Sequence, residues 1–316
     1  MDGNILVTGS CGQIGTALVA KLRERHGTDR VLATDVRTAS KKACEDGPFK
    51  YLDVLDQTSI ERIIVDYNIS IIFHLASILS AKGEGSPQLA YQVNMGGTIN
   101  ILEAARQQDI EQVIWPSSIA AFGPSSPRIL TPNDTCTQPT TMYGISKVTG
   151  ELLIDYYHEK FGLDGRAVRL PGIISYETLP GGGTTDYAVE IFYEAIKSAE
   201  YTCFVKEDTM LPMMYMPDCL EGLIGLAEAD RDNLEHRVFN IASMSFSPGE
   251  LANEIRKHIP EFEINYKPDF RQDIADSWPE SIDDSIAREE WGWSPEYDLP
   301  SMTADMIEKL RKKLKA

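Results

Sequence analysis

Short apolar runs and helix-like stretches take turns along the chain as far as Leu170. Apolar runs at residues 4–7, 30–34, 49–52, 70–75, 112–115 and 165–170 predict strands. Apolar positions spaced three and four apart predict helices over 13–25, 59–67, 90–107 and 143–161. The strand segments are apolar almost throughout, a pattern a strand adopts when both of its faces are covered. Strand and helix in regular succession then predict an α/β fold built on a parallel sheet. Beyond Leu170 the rhythm changes. Pro180-Gly181-Gly182-Gly183 is a loop signal. Helices are expected over 187–198 and 217–229, a strand over 238–241 and irregular chain over 203–216. The remainder mixes short helices with Pro-rich turns. These breaks place a boundary near residue 172. Residues 1–172 are expected to carry the sheet and to take back about 217–242, while 173–316 form mainly a smaller second domain.

Composition narrows the partners. The 316 residues are 42% hydrophobic and 25% charged, ordinary values for a soluble globular protein. Against 30 basic residues stand 48 acidic ones, a net charge of −18. Such a balance repels phosphate backbones and anionic bilayers, so neither nucleic acid nor a membrane surface is an expected partner. A nucleotide cofactor stays open, because backbone N–H groups at a helix N-terminus bind phosphate without basic side chains. Five cysteines (Cys11, Cys44, Cys136, Cys203 and Cys219) show no C-x2-C spacing. They read as reduced thiols of a cytoplasmic protein. The first apolar run, Ile5-Leu6-Val7, breaks at Gly9, too soon for a secretory leader, and no run is long enough to span a bilayer. The histidines fall in no ligand pattern, so no metal is expected.

The first chemical signal is Gly9-x-x-Gly12-x-x-Gly15, between the first strand and the first helix. The first glycine permits the tight turn, the second a close backbone approach to a pyrophosphate, the third close packing of helix on strand. Gln13 and Ile14 would offer backbone N–H groups at the helix start. Asp35 ends the second strand, where a carboxylate accepts hydrogen bonds from ribose hydroxyls and repels a 2′-phosphate. NAD is therefore expected over NADP, although the nearby Arg37 is of a type that holds that phosphate. Asp53, with Val54, follows the third strand and is placed to reach an adenine amino group, unless it is a turn residue.

The second signal is Tyr143-x-x-x-Lys147. On a helix these two positions share a face. A phenol ordinarily titrates near 10, and an adjacent ammonium lowers that value and makes a usable base. A base of this kind takes a proton from an alcohol while hydride leaves the same carbon. The motif alone does not choose a residue, because Tyr156/Lys160 and Tyr193/Lys197 repeat it. Tyr143 stands at a helix start, after a strand ending in Pro116-Ser117-Ser118. The other two pairs read as solvated helix faces.

Together the glycine loop, Asp35, Asp53, His74-Leu75-Ala76, Asn94, Ser117-Ser118, Tyr143-x-x-x-Lys147 and Arg169-Leu170-Pro171-Gly172 resemble the extended short-chain dehydrogenase/reductases over essentially the whole chain. The resemblance implies a Rossmann-type doubly wound parallel sheet with a smaller C-terminal substrate-binding domain. It implies Ser118, Tyr143 and Lys147 as the catalytic set, Ser118 being chosen over Ser117 by its distance from Gly123. It implies NAD contacts from Gly9, Gly12, Gln13, Ile14, Gly15, Asp35, Arg37, Asp53, Val54, Leu75, Ala76, Asn94, Tyr143, Lys147 and Pro171. A homodimer packed through the helices near 90–107 and 143–161 is also implied.

Within that family, residues 74–84, 181–188 and 212–216 are similar to the short-chain threonine dehydrogenase branch. That likeness implies oxidation of the 3-hydroxyl of L-threonine. Ser80, Ser118, Tyr143, Thr184 and Thr185 would touch the amino acid, and the glycine triplet would act as a lid. Ser80 reads equally as a cap or loop serine, and Thr184 and Thr185 as a helix cap. Trp278 would close the pocket or simply pack. Two other readings stand beside this one. A nucleotide-sugar epimerase or dehydratase would want an arginine for the diphosphate, and residues 211–218 contain none. A catalytically idle dinucleotide sensor would need only the glycine loop.

Overall fold

A computed structural model describes residues 3–37, 46–179 and 181–315. Cys44 and Pro180 lie outside the described residues. Seven parallel strands form the main sheet: β1 (Asn4–Thr8), β2 (Val31–Asp35), β3 (Phe49–Tyr51), β4 (Ile69–His74), β5 (Gln112–Ser118), β6 (Asp164–Leu170) and, from much later in the chain, β10 (Val238–Asn240). Their order is β3-β2-β1-β4-β5-β6-β10. The order reverses between β1 and β4, which opens a crevice at the carboxyl ends of those strands, where such sheets bind ligands.

Burial explains the continuous apolar runs. Ile5 and Val7 of β1, Ile71 and Phe73 of β4 and Ile114 of β5 enter one core. Leu6, Ile72, Val113 and Trp115 enter the core on the opposite face. Each strand thus feeds alternate residues to two cores, at about 1.5–3 kcal/mol per fully buried aliphatic side chain. Helices α1 (Gln13–His26) and α8 (Met216–Glu228) cover the first face. Helices α2 (Gln57–Asp66), α5 (Gly97–Gln107) and α6 (Met142–Phe161) cover the second.

A third core gathers residues from the later part of the chain. It is built from α7 (Tyr187–Lys197), α9 (Pro248–Arg256), α12 (Leu299–Lys315) and a small sheet of β7 (Gly172–Ile174), β9 (Leu211–Tyr215) and β11 (Met244–Phe246). Ile119, Ala120 and Phe122, just after β5, belong to this core, and Tyr143 packs against it. The region between the glycine loop and this core is therefore bounded by β5 and the start of α6.

Two expectations need correcting. Residues 203–216 are not irregular throughout: Leu211–Tyr215 is a fully buried strand between β7 and β11, with Pro212 inside it. Met213 and Met214 alternate into different cores, which a proline-interrupted methionine run conceals. Residues 90–107 are not one α-helix. They continue from α4 (Pro87–Tyr91) through a π turn at Gln92–Gly96 into α5. The wide turn presents Asn94, which accepts the Ile78 N–H at 2.8 Å and donates to the Ile78 carbonyl and to Ser146. One extra residue per turn is the usual way a helix redirects a side chain at a functional site.

Candidate active site

The glycine loop opens directly into α1. Gly9 adopts φ +67°, and a Cβ there would stand 2.7 Å from the Ala76 nitrogen. A Cβ at Gly15 would meet the Gly9 carbonyl oxygen at 2.3 Å. Only glycine lets the loop lie this close to β4 and to its own helix. Gly12 caps α1 without a side-chain hydrogen bond, so the first N–H groups, at Gln13, Ile14 and Gly15, have no cap from a side chain. The Gln13 amide nitrogen is buried with no partner. Thr8 ties the far wall down: its carbonyl accepts the Leu75 N–H and its hydroxyl the Ala76 N–H.

Asp35 is buried at the end of β2. Its Oδ2 accepts the Cys11 N–H at 2.9 Å, and its Oδ1 accepts the Arg37 N–H and Nε–H. Burial pushes this carboxyl up, but the hydrogen bonds from Arg37 and Cys11 outweigh it and hold the group below the usual carboxylate range. Arg37 is thus engaged with the carboxylate. A 2′-phosphate would meet a negative group whose neighbouring cation is already paired. Asp53 lies two residues past β3 and accepts the Leu55 N–H, a turn contact. Val54 is buried against Gly97, and Pro171 is buried between β6 and β7. The donor set suits a dinucleotide: bare backbone N–H groups for a pyrophosphate and a carboxylate for a ribose.

Thr141 caps α6 by accepting the Gly144 N–H, which places Tyr143 in the first turn. Tyr143 stands near the Ser118 hydroxyl at the end of β5, close enough for that hydroxyl to favour its phenolate, while Ser118 Oγ accepts the Ala120 N–H. Lys147, one turn on, is buried. Its ammonium donates to the Pro116 carbonyl at 2.6 Å and sits 4.4 Å from the Trp115 ring centre and 5.3 Å from that of Tyr143. Here the expected lowering of the phenol is reversed. Desolvation pushes Tyr143 up to about 12, and the Ser118 hydroxyl only partly opposes it. The same desolvation pulls Lys147 down to about 7, with Glu151 opposing. Loss of solvation penalises both charged forms at once.

Of the three tyrosine–lysine pairs, only Tyr143/Lys147 reaches a serine on a strand end. Tyr156 is exposed, as expected of a solvated face. Tyr193 is a correction: it is buried, and its hydroxyl donates to the Tyr176 carbonyl at 3.0 Å while Lys313 approaches from α12. The third core claims its ring. Trp278 is likewise packed in that core, at 5% exposure.

On the other wall, Ser80 begins a short helix, α3 (Ser80–Glu84), which packs against α6. Its hydroxyl lies 3.1 Å from that of Thr184, and both residues are buried. Thr185 stands against Gly172, where a Cβ would come within 2.8 Å. Asp186 accepts the N–H groups of Gly182 and Gly183 and so folds the glycine loop back toward α3, where Gly182 faces Lys82. Asn94 is spent on Ile78 and Ser146, holding the segment before Ser80 in place.

Four side chains were given no role by sequence reasoning. Glu84 accepts the Met142 N–H, tying α3 to the start of α6. Behind Lys147, Ser117 donates to Glu151, and Arg169 of β6 forms two 2.9 Å bonds with the same carboxylate. Glu151 was visible as the third member of a four-residue spacing, Tyr143, Lys147, Glu151. Among the described residues no cluster of histidine, cysteine or acidic side chains is arranged for a metal ion, and no helix is long and apolar enough to cross a membrane.

The sequence pattern of the NAD dependent epimerase/dehydratase family matches residues 5–242. An uncharacterised epimerase/dehydratase of Staphylococcus haemolyticus is 48% identical over 312 residues, 98% of each chain. The structure is similar to that of L-threonine dehydrogenase from Phytophthora infestans, with a TM-score of 0.95 at 52% identity over 98% of this chain and 100% of that one. It is similar also to L-threonine dehydrogenase from Clostridium difficile, with a TM-score of 0.96 at 52% identity over 98% of both.

Proposed function

Because this chain belongs to the NAD dependent epimerase/dehydratase family, we propose that it is an NAD-dependent dehydrogenase that oxidises the 3-hydroxyl of L-threonine to 2-amino-3-oxobutyrate. The observation that carries the reading is the buried hydrogen bond between Ser80 and Thr184, 104 residues apart, on a helix packed against the start of α6. It brings two buried hydroxyls together beside α6, groups of the kind that would hold the polar ends of an amino acid. Likeness to two threonine dehydrogenases at 52% identity supports the same substrate. The strand at 211–215 is wholly buried, and residues 211–218 offer no arginine to a sugar-nucleotide diphosphate.

NAD would supply the hydride acceptor when bound. The N–H groups of Gln13, Ile14 and Gly15 would hold its pyrophosphate and Asp35 its ribose. Ser118 donates to the substrate's reacting oxygen, and Tyr143 takes the proton from that oxygen. The Lys147 ammonium favours the phenolate by charge. Ser80, Thr184 and Thr185 orient the amino acid, and the loop at 181–183 excludes water above it. Burial pushes the phenol up, so turnover should rise with pH as the phenolate forms, a rise limited on the alkaline side where Lys147, titrating at about 7, loses the charge that favours it.

The test is direct. Purified protein with NAD and L-threonine at alkaline pH should generate NADH absorbance at 340 nm. Silence with threonine, together with interconversion of a UDP-sugar, would overturn the substrate assignment. The protein also forms a homodimer in this proposal: Tyr91, Ile99, Ile145, Leu152 and Tyr156 leave an exposed apolar surface along α4, α5 and α6.

A further inference from the structure

Three consecutive residues of β5 engage three residues of α6 spaced one turn apart. The Ser118 hydroxyl stands near Tyr143, the Pro116 carbonyl accepts from Lys147, and the Ser117 hydroxyl donates to Glu151. The first two pairs belong to the proposed chemistry. The third lies a turn deeper and has the same construction. Glu151 is 5% exposed, and Arg169, the register partner of Ser117 across β5 and β6, grips it through two hydrogen bonds. Arg169 is in turn fixed by the Asn133 carbonyl and Asn240.

We propose that Glu151 is a positioning residue of the reaction: clamped by Ser117 and Arg169, its carboxylate keeps the Lys147 ammonium charged and in place beside Tyr143. This rests on the catalytic roles proposed above for Tyr143 and Lys147. The charges around Lys147 make the need plain. Tyr143 and Glu151 share its helix, and β4 brings His74, buried and neutral with its titration pulled down to about 3 by burial and then by Lys147 itself. β6 brings Arg169, whose cation is turned onto Glu151. Asp155, one turn past Glu151, is exposed, and desolvation and then the Glu151 charge push its carboxyl up from the usual range. Among these described neighbours Glu151 is the buried carboxylate one helical turn from Lys147, and its charge opposes the desolvation of the ammonium. Without it Lys147 has only a carbonyl and two aromatic rings to offset its desolvation.

A reporter is built in, because the Lys147 ammonium lies over the Trp115 indole. Tryptophan emission is followed across neutral pH in the unliganded protein, and the component absent from Lys147→Met is assigned to this lysine. In Glu151→Gln its midpoint should fall by about one unit, the scale of losing a nearby opposite charge. Glu151→Asp keeps the charge for Arg169 but draws it back, so its midpoint should fall less. Should the glutamine variant not fold, the aspartate variant decides alone. A purely structural Glu151 would lower thermal stability in both variants and leave both midpoints at the wild-type value, and that result overturns the proposal. Threonine turnover by the wild type is measured separately. A shifted midpoint without threonine oxidation leaves Glu151 in this role and removes the substrate, whereas threonine oxidation with an unshifted midpoint does the reverse.

Discussion

A single hydroxyl separates the three tyrosines that the motif cannot tell apart. Tyr143 has a serine hydroxyl nearby and a lysine ammonium beside its ring, Tyr193 is committed to a backbone carbonyl, and Tyr156 faces solvent. Each environment predicts a different result on replacement by phenylalanine. Tyr143→Phe should abolish threonine oxidation while NAD binding, followed by calorimetry, stays near wild type. Tyr193→Phe should retain turnover and lose about 1 kcal/mol of stability in urea unfolding, the usual worth of one buried hydrogen bond. Tyr156→Phe should alter neither. Equal loss of turnover in Tyr156→Phe and Tyr143→Phe would refute the assignment. The motif was legible in the sequence. The choice rested on helix position, and burial supplied the rest, including the upward push on the phenol that spacing alone had reversed.

At the scale of elements, the weld between β5 and α6 sets the geometry. Gly150 makes it tight: a Cβ there would stand 2.4 Å from the Trp115 ring. That ring supports the Lys147 ammonium. Gly150→Ala must push the helix or the indole aside, at an expected cost of about 1–3 kcal/mol for overpacking. Denaturant unfolding should show that loss, and kcat should fall with it because Lys147 moves. An unchanged kcat would mean that the weld tolerates slack. Strand and helix positions up to Leu170 could be read from periodicity because each strand feeds two cores. The break in the helix over 90–107 could not be read so, because its cause is Asn94 reaching back to Ile78, a contact between distant turns.

At the scale of the molecule, Tyr91, Ile99, Ile145, Leu152 and Tyr156 leave exposed apolar side chains on α4, α5 and α6. Ile145, Leu152 and Tyr156 lie on one face of α6, and Leu152 is 64% exposed. The proposed homodimer would cover this surface. Light scattering should return twice the single-chain mass, and Leu152→Glu should return the single-chain mass. A wild-type protein already at single-chain mass would dismiss the dimer.

Local rules were sufficient for what the sequence determined alone. Glycine spacing between a strand and a helix, an acid at a strand end and continuous apolar strands each follow from backbone sterics and from two-sided burial. They led to the parallel sheet and the dinucleotide loop, whereas the Ser118, Tyr143, Lys147 set came from the family resemblance and stands as a proposal. Tertiary structure decided what depends on solvent exclusion and on residues far apart in the chain. It brought Ser80 to Thr184, set Arg169 and Ser117 on Glu151, paired Arg37 with Asp35 and made a buried strand of residues 211–215. Charge inside a protein is governed by what surrounds it after folding, and no local pattern of residues carries that information.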